Sequence, residues 1–143
     1  MAGYWEKPEE TAKKLRPGPL PGERVLYTGD LCRLDEEGYL YFVSRMDDII
    51  KSRGEKVAPK EVESVLTNVP GVKEAAVIGV PDDVLGQALK AFVVLEVGST
   101  LTEAELVHAC QSHLESFKVP KQLVLVPALP KTSTGKIKKT ELV

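Results

Sequence analysis

Between Lys73 and Gly98 the chain carries two apolar runs, KEAAVIGVPDD and ALKAFVVLEVG, with only the short stretch Pro81 to Gln87 to join them. Both are rich in β-branched residues, which suit a pleated surface because their side chains pack against neighbours across a sheet. Two strands joined so closely predict the centre of a small sheet. The flanking segments then decide what can cover it. Upstream, a short apolar strand from Ile49 runs into a turn at Ser52-Arg53-Gly54. Pro59 follows in the first-turn place where a helix tolerates proline, and Val62, Val65 and Leu66 share one face, so a helix of roughly Pro59 to Asn68 is predicted. Downstream, Thr102 with Glu105 three residues on forms a capping box. It opens a predicted helix to about Phe117, with Leu106, Val107, Cys110 and Leu114 on its buried side. The stretch KQLVLVPALP predicts a last strand. Helix, strand, strand, helix, strand makes an α+β fold: a three-stranded sheet covered by two helices.

The first 46 residues read differently. Met1 to Gly22 carries Pro8, Pro17, Gly18, Pro19, Pro21 and Gly22, which predicts an extended segment without long elements. Two apolar runs, Val25 to Tyr27 and Tyr39 to Val43, with the polar turn Asp35 to Gly38 before the second, predict a β-hairpin. An isolated hairpin is marginal in water, so this one is expected to lie against something larger, either the rest of the chain or a partner.

Length and charge exclude several functional classes. At 143 residues the chain suffices for one compact domain with a small appendage. No apolar run approaches the roughly 20 residues that span a bilayer. The start, MAGYWEKPEE, lacks the apolar core of a signal peptide, and a cytoplasmic location is expected. With 19 basic and 21 acidic side chains the net charge is -2, which offers nucleic acid no electrostatic footprint. Cys32 and Cys110 lie far apart without CxxC spacing, although His108 and His113 flank Cys110. They read as ordinary thiols of a reducing compartment rather than a metal site or a disulfide.

One stretch remains unexplained by folding, PALPKTSTGKIKK, Pro127 to Lys139. Lys136 follows Thr132, Ser133, Thr134 and Gly135, a loop expected to bend freely and too polar to pack away. A solvated tail is one reading. Delivery of Lys136 as a point charge to a phosphate or carboxylate is the other. The string TSTGK imitates a phosphate-binding loop but is not one, because Lys131 stands in the first glycine's place and Ile137 replaces the Ser or Thr.

Four separated strings resolve the choice: GYW (Gly3 to Trp5), YTGDL (Tyr27 to Leu31), SRMDDIIKSRGEKVAPKEVE (Ser44 to Glu63) and LPKTSTGKIKK (Leu129 to Lys139). In order and approximate spacing they resemble the adenylate-forming enzymes. These are the acyl- and aryl-CoA synthetases, the adenylation domains of nonribosomal peptide synthetases and firefly luciferase. The resemblance runs over essentially the whole chain. It implies that residues 1–46 are the end of a large adenylation domain and 47–143 a mobile C-terminal domain. It also implies a two-step reaction. A carboxylic acid and ATP first give an acyl adenylate and pyrophosphate; a thiol, that of CoA or of a carrier protein, then displaces AMP. The strings KVAPKEVE and LPKTSTGKIKK are closer to the CoA-ligase forms than to the peptide-synthetase forms.

Residue by residue, the resemblance implies that Asp30 holds the ribose hydroxyls of ATP or AMP, since a carboxylate accepts both protons. Arg45 would contact ribose and phosphate with its planar fork, although many members have glycine where Ser44 stands. Asp47 would be the hinge about which the C-terminal domain rotates. Gly54 would line the tunnel for CoA or pantetheine, where a missing side chain lets the thiol pass. Lys136 would be the catalytic lysine of adenylation. Without the resemblance, Asp30 is a hairpin aspartate, Asp47 a surface acid beside Asp48, and Gly54 a turn glycine. Mg2+ would accompany ATP but be liganded by the large domain, which also supplies the acid pocket. Met1 falls where many members carry an internal residue, so the chain resembles one begun inside a longer reading frame. A standalone domain completing a split ligase in trans, a non-catalytic nucleotide- or CoA-binding module, and a fragment of a peptide-synthetase adenylation domain are the alternatives.

The Ser/Thr/Gly-rich phosphate loop of the large domain does not occur in these 143 residues. The chain alone is therefore expected to release no pyrophosphate from ATP with any carboxylic acid. Turnover above the acid-free background in a pyrophosphate-release assay would contradict this.

Overall fold

A computed structural model describes residues 1–142. The chain divides into two compact units, the first Met1–Asp47 and the second beginning at Asp48.

The first unit contains helix α1 (Pro8–Lys14) and strands β1 (Leu15–Pro17), β2 (Arg24–Leu26), β3 (Asp30–Leu34) and β4 (Leu40–Arg45). The expected extended run from Met1 to Gly22 is therefore interrupted. Pro8 lies in the first turn of α1, where its missing N–H goes unnoticed. Glu9 and Glu10 at the start and Lys13 and Lys14 at the end complement the helix dipole. The prolines and glycines from Pro17 to Gly22 form the loop that returns the chain so that β2 pairs with β1, Leu15 opposite Leu26. A hairpin does form, but not between the runs expected. β4 pairs with β3, because the turn that closes it follows β3 directly. The Asp35 carboxylate accepts the backbone N–H of Tyr39 at 2.8 Å and of Glu37 at 3.1 Å, bonds that hold its pKa below the usual range, that from Tyr39 foremost. Val25 and Leu26 are already taken by β1.

The second unit is an α+β domain of strands β5 (Ile50–Ser52) and β6 (Glu55–Val57), helix α2 (Pro59–Thr67), strands β7 (Val72–Asp82) and β8 (Gly86–Leu95), helix α3 (Glu103–His113) and strand β9 (Gln122–Leu125). β7 and β8 pair antiparallel along their whole length, and β9 runs parallel to β8 from Lys90 to Val93. These are the three strands anticipated. Two more extend the sheet to five, because the β5–β6 hairpin joins β8 through Ser52 and Gly86.

Alternation along β7 and β8 sends neighbours to opposite faces. Val77, Leu89, Ala91 and Val93 pack under Val62 and Leu66 of α2 and Leu106 and Cys110 of α3. Ala76, Phe92 and Val94 face the other way, against Leu129, with Ile137 and Leu142 packed beside them. The helices thus cover one face only. The C-terminal segment covers the second, which the strand and helix pattern did not anticipate.

α3 begins with the expected capping box. Glu105 N–H donates to Thr102 Oγ1 at 3.3 Å and Thr102 N–H donates to Glu105 Oε2 at 2.8 Å. It ends at His113, short of Phe117: Leu114 is extended and a 3₁₀ turn, Ser116–Lys118, follows. Pro120 keeps the residue before it out of helical geometry, so the helix does not resume. Burial pushes the Cys110 thiol up to about 11, which makes it a packing residue. Among the described residues, no group of His, Cys, Asp and Glu could hold a metal ion. Among the same residues, no helix is long and apolar enough to cross a membrane.

Asp82 ends β7 and fastens the turn to β8. Its Oδ1 accepts the N–H of Leu85 at 2.9 Å and of Val84 at 3.0 Å, and Oδ2 accepts Lys121 Nζ at 2.5 Å. Lys121 above all, then the two amides, lowers its pKa to about 2 from an ordinary 3.8. A depressed pKa means that the folded state favours the ionised form. Its stabilisation is complete above pH of about 4 and is lost as pH falls toward about 2. In urea unfolding, Asp82→Asn is expected to be less stable than the wild type at pH 7, the gap closing between about pH 4 and pH 2. A gap constant across that range would contradict the assignment. Thr102→Ala is expected to cost about 1 kcal/mol in the same assay, the usual worth of an N-cap.

Candidate functional site

The register of β3 and β4 places Asp30 directly opposite Arg45. Arg45 Nη1 donates to Asp30 Oδ1 at 2.7 Å. The preceding Gly29 has φ +82°, and a Cβ added to it would lie 3.4 Å from Lys14 Nζ and 3.6 Å from Arg45 Nη2. The backbone conformation favours glycine there. Thr28 Oγ1 accepts the N–H of Asp30 at 3.2 Å. Beside these residues runs an open groove of about 530 Å³, lined by Lys14, Arg16, Tyr27, Thr28 and Asp30 among others. Two of the five anticipated residues are thus brought into contact by one hairpin. Asp47 is exposed in the 3₁₀ turn Met46–Asp48, where the first unit ends.

Gly54 stands at the tip of the β5–β6 hairpin. Arg53 has φ +54° and Gly54 φ +81°, between the paired residues Ser52 and Glu55. Positive φ at both central residues defines the type I′ turn, whose twist matches that of the strands. The tip is open, since a Cβ on Gly54 would meet nothing within 4 Å. The turn is tied to the rest of the domain by the Arg53 N–H, which donates to the Leu85 carbonyl at 3.1 Å.

Lys136 does not sit on a freely bending loop. Lys131 and Ile137 form a β-bridge, and between them the Thr132 N–H donates to the Lys136 carbonyl at 2.7 Å and the Gly135 N–H to the Thr132 carbonyl at 2.9 Å. Thr132 Oγ1 accepts the Lys136 N–H at 3.1 Å and bonds with the Thr134 hydroxyl at 2.9 Å. The polar residues that suggested freedom instead bond to one another, and Ile137 anchors the turn in the core.

The lysines around it are tied down as well. Lys131 pairs with Glu74 of β7, Lys138 with Glu141 at 2.9 Å and Lys139 with Glu63 of α2 at 2.7 Å. Glu63 also accepts the N–H of Val77 at 2.9 Å, so it links helix, sheet and C-terminal segment. Lys136 is exposed and, among the described residues, has no carboxylate partner. Two lysines fasten the segment to β7 and α2, a third pairs within it, and one is presented. Glu63, Glu74 and Thr132 were not singled out from sequence. Thr132 had a local signal, its place four residues before Lys136; the glutamates had none, Glu74 lying 57 residues from Lys131.

Residues 61–136 match the protein family described as AMP-binding enzyme C-terminal domain. The chain belongs to that family. A long-chain-fatty-acid–CoA ligase of Bacillus subtilis is 44% identical over 142 residues, 99% of this chain and 24% of that protein. ATP-bound MatB from Rhodopseudomonas palustris superposes with a TM-score of 0.87 at 38% identity, over 98% of this chain and 27% of that one. The o-succinylbenzoate CoA synthetase of Bacillus subtilis, solved with its acyl-adenylate intermediate, gives 0.88 at 33% identity, again over 98% and 27%. The chain thus spans about a quarter of the length of the curated relatives it matches. Its family domain ends its match at Lys136, inside the pinned turn.

The hairpin tip yields a structural prediction. Gly54→Val is expected to destabilise the domain by about 1–2 kcal/mol through left-handed backbone strain alone. Gly54→Asn should lose much less, because asparagine visits that region readily. Equal losses for both, read from chemical unfolding, would mean that space rather than conformation is limiting.

Proposed function

We propose that this chain serves as the C-terminal part of an AMP-forming acyl-CoA synthetase, with Lys136 as the lysine of the adenylation step. The observation that carries the reading is the allocation of charge in the lysine turn: three of its lysines are neutralised by glutamates and the fourth is held out on a fastened turn. In adenylation a carboxylate oxygen attacks the α-phosphorus of ATP, the new O–P bond forms and pyrophosphate leaves. Two anions are forced together, and an ammonium between them stabilises the crowding more in the transition state than before it. Asp30 accepts the ribose hydroxyls and Arg45 donates to ribose and phosphate. In the second step the CoA sulfur bonds to the acyl carbon and AMP departs with the bonding pair. Gly54 leaves the backbone bare where the thiol arm passes.

The placing of the two turns supports a rotation between the steps. The lysine turn is fastened to Glu74, whereas the Gly54 turn rests on Leu85 and Gly86, beside Asp82. Glu74 and Asp82 lie eight residues apart on β7, roughly 26 Å of extended chain. Since both turns are pinned, a change of pose of the whole domain about Asp47 exchanges them better than loop motion would.

The partner is a large adenylation domain, joined in cis or acting in trans, which supplies the phosphate loop, the acid pocket and the ligands for Mg2+. The first unit supports this reading: Trp5, Leu34, Tyr39 and Leu40 are all more than 60% exposed, large apolar side chains that a covering domain would take out of water. The CoA ligases among the relatives favour CoA over a carrier-protein thiol. ATP, CoA and unpaired cysteines fit the cytoplasm.

The test separates the half-reactions in the ligase that contains this chain. Lys136→Ala is expected to lower acid-dependent ATP–pyrophosphate exchange by about two to three orders of magnitude, while thioester formation from supplied acyl adenylate stays within a few-fold. Equal losses in both steps, or none, would overturn the assignment.

A further inference from the structure

The groove beside Asp30 holds a cation for which the pair with Arg45 has no use. Lys14 ends α1, and its carbonyl accepts the N–H of Tyr27 at 2.8 Å, which ties this end of the helix to β2. Its side chain is half-buried and reaches over Gly29, where its ammonium and the Arg45 guanidinium flank the same empty point at 3.4 and 3.6 Å. The carboxylates nearby are committed elsewhere. Asp30 is engaged by Arg45 at 2.7 Å. Glu10 takes the neighbouring Lys13 at 2.7 Å. Arg16 adds a further positive charge, stacked over the Tyr27 ring at 4.7 Å. Among the described residues Lys14 forms no ion pair, and only the more distant charge of Glu10 acts on it; a partly desolvated ammonium so placed gains when an anion arrives.

We propose that Lys14 contacts the 5′-phosphate of the bound nucleotide, closing with Arg45 on an anion that enters over the bare backbone of Gly29. The inference rests on the nucleotide reading of Asp30. A nucleotide held there by its ribose hydroxyls carries its phosphate only a few bonds away, within reach of both cations. A Cβ at position 29 would occupy the approach.

Calorimetric titration of the ligase containing this chain with AMP and with adenosine tests the contact. Lys14→Met is expected to weaken AMP about tenfold, the loss of one charge-assisted bond, and to leave adenosine unchanged; Lys14→Arg should restore AMP binding. Unchanged AMP affinity in Lys14→Met would overturn the proposal. So would equal weakening of AMP and adenosine, which would mark Lys14 as a structural residue of α1. Asp30→Asn reports on the underlying reading separately: it should weaken both ligands, and intact adenosine binding would remove the nucleotide site itself.

Discussion

The pairing of β7 with β8, buried on both faces, is the constraint on which the rest of the second unit depends. Leu66, Leu89, Leu106, Val57, Val62, Val77 and Val93 are each less than 2% exposed. Burying such a side chain contributes about 1.5–3 kcal/mol, whereas an exposed ion pair contributes about 0–1 kcal/mol. The stability of the domain therefore resides in the sheet and its coverings. The ion pairs of Lys131 with Glu74 and of Lys139 with Glu63 serve mainly to decide where the C-terminal segment lies. This separation lets a small domain carry exposed turns at both ends of its sheet without risking its fold.

Charge allocation around Lys136 is the electrostatic counterpart of that packing. Four lysines within nine residues would repel one another and bind phosphates in several poses. Three of them paired with glutamates on β7, α2 and the last 3₁₀ turn leave a single mobile ammonium on a fixed backbone. Thr132 completes the arrangement by closing the turn on itself. A fastened backbone that presents one unpaired ammonium is the arrangement on which the proposed role of Lys136 rests.

The first unit follows a different logic. Among the described residues of this unit only Leu15 and Ser44 are buried, so its strands are held by hydrogen bonds and turns more than by a core. Register alone brings Asp30 to Arg45. Whether β4 would take β2 or β3 as its neighbour was not legible from apolar runs, because both candidates are short and neither buries a face. The decisive signal was the Asp35 carboxylate, which closes a tight turn right after β3.

What the sequence by itself determined are the features written in local chemistry: Pro59 at the start of α2, the Thr102–Glu105 box of α3, the β-branched runs of β7 and β8, and the motif strings that mark the family. Asp30, Arg45, Asp47 and Gly54 were singled out only through those strings, whereas Lys136 already stood out by the polar loop before it. Tertiary structure alone decided that the C-terminal segment covers the second face of the sheet, that β5 and β6 extend it, and that Glu63 and Glu74 hold the lysine turn. The reason is physical. Caps, turns and side-chain periodicity act over a few residues and leave a trace in order and spacing. An ion pair or a packed face joins residues distant in the chain, and it exists only once the fold has brought them together.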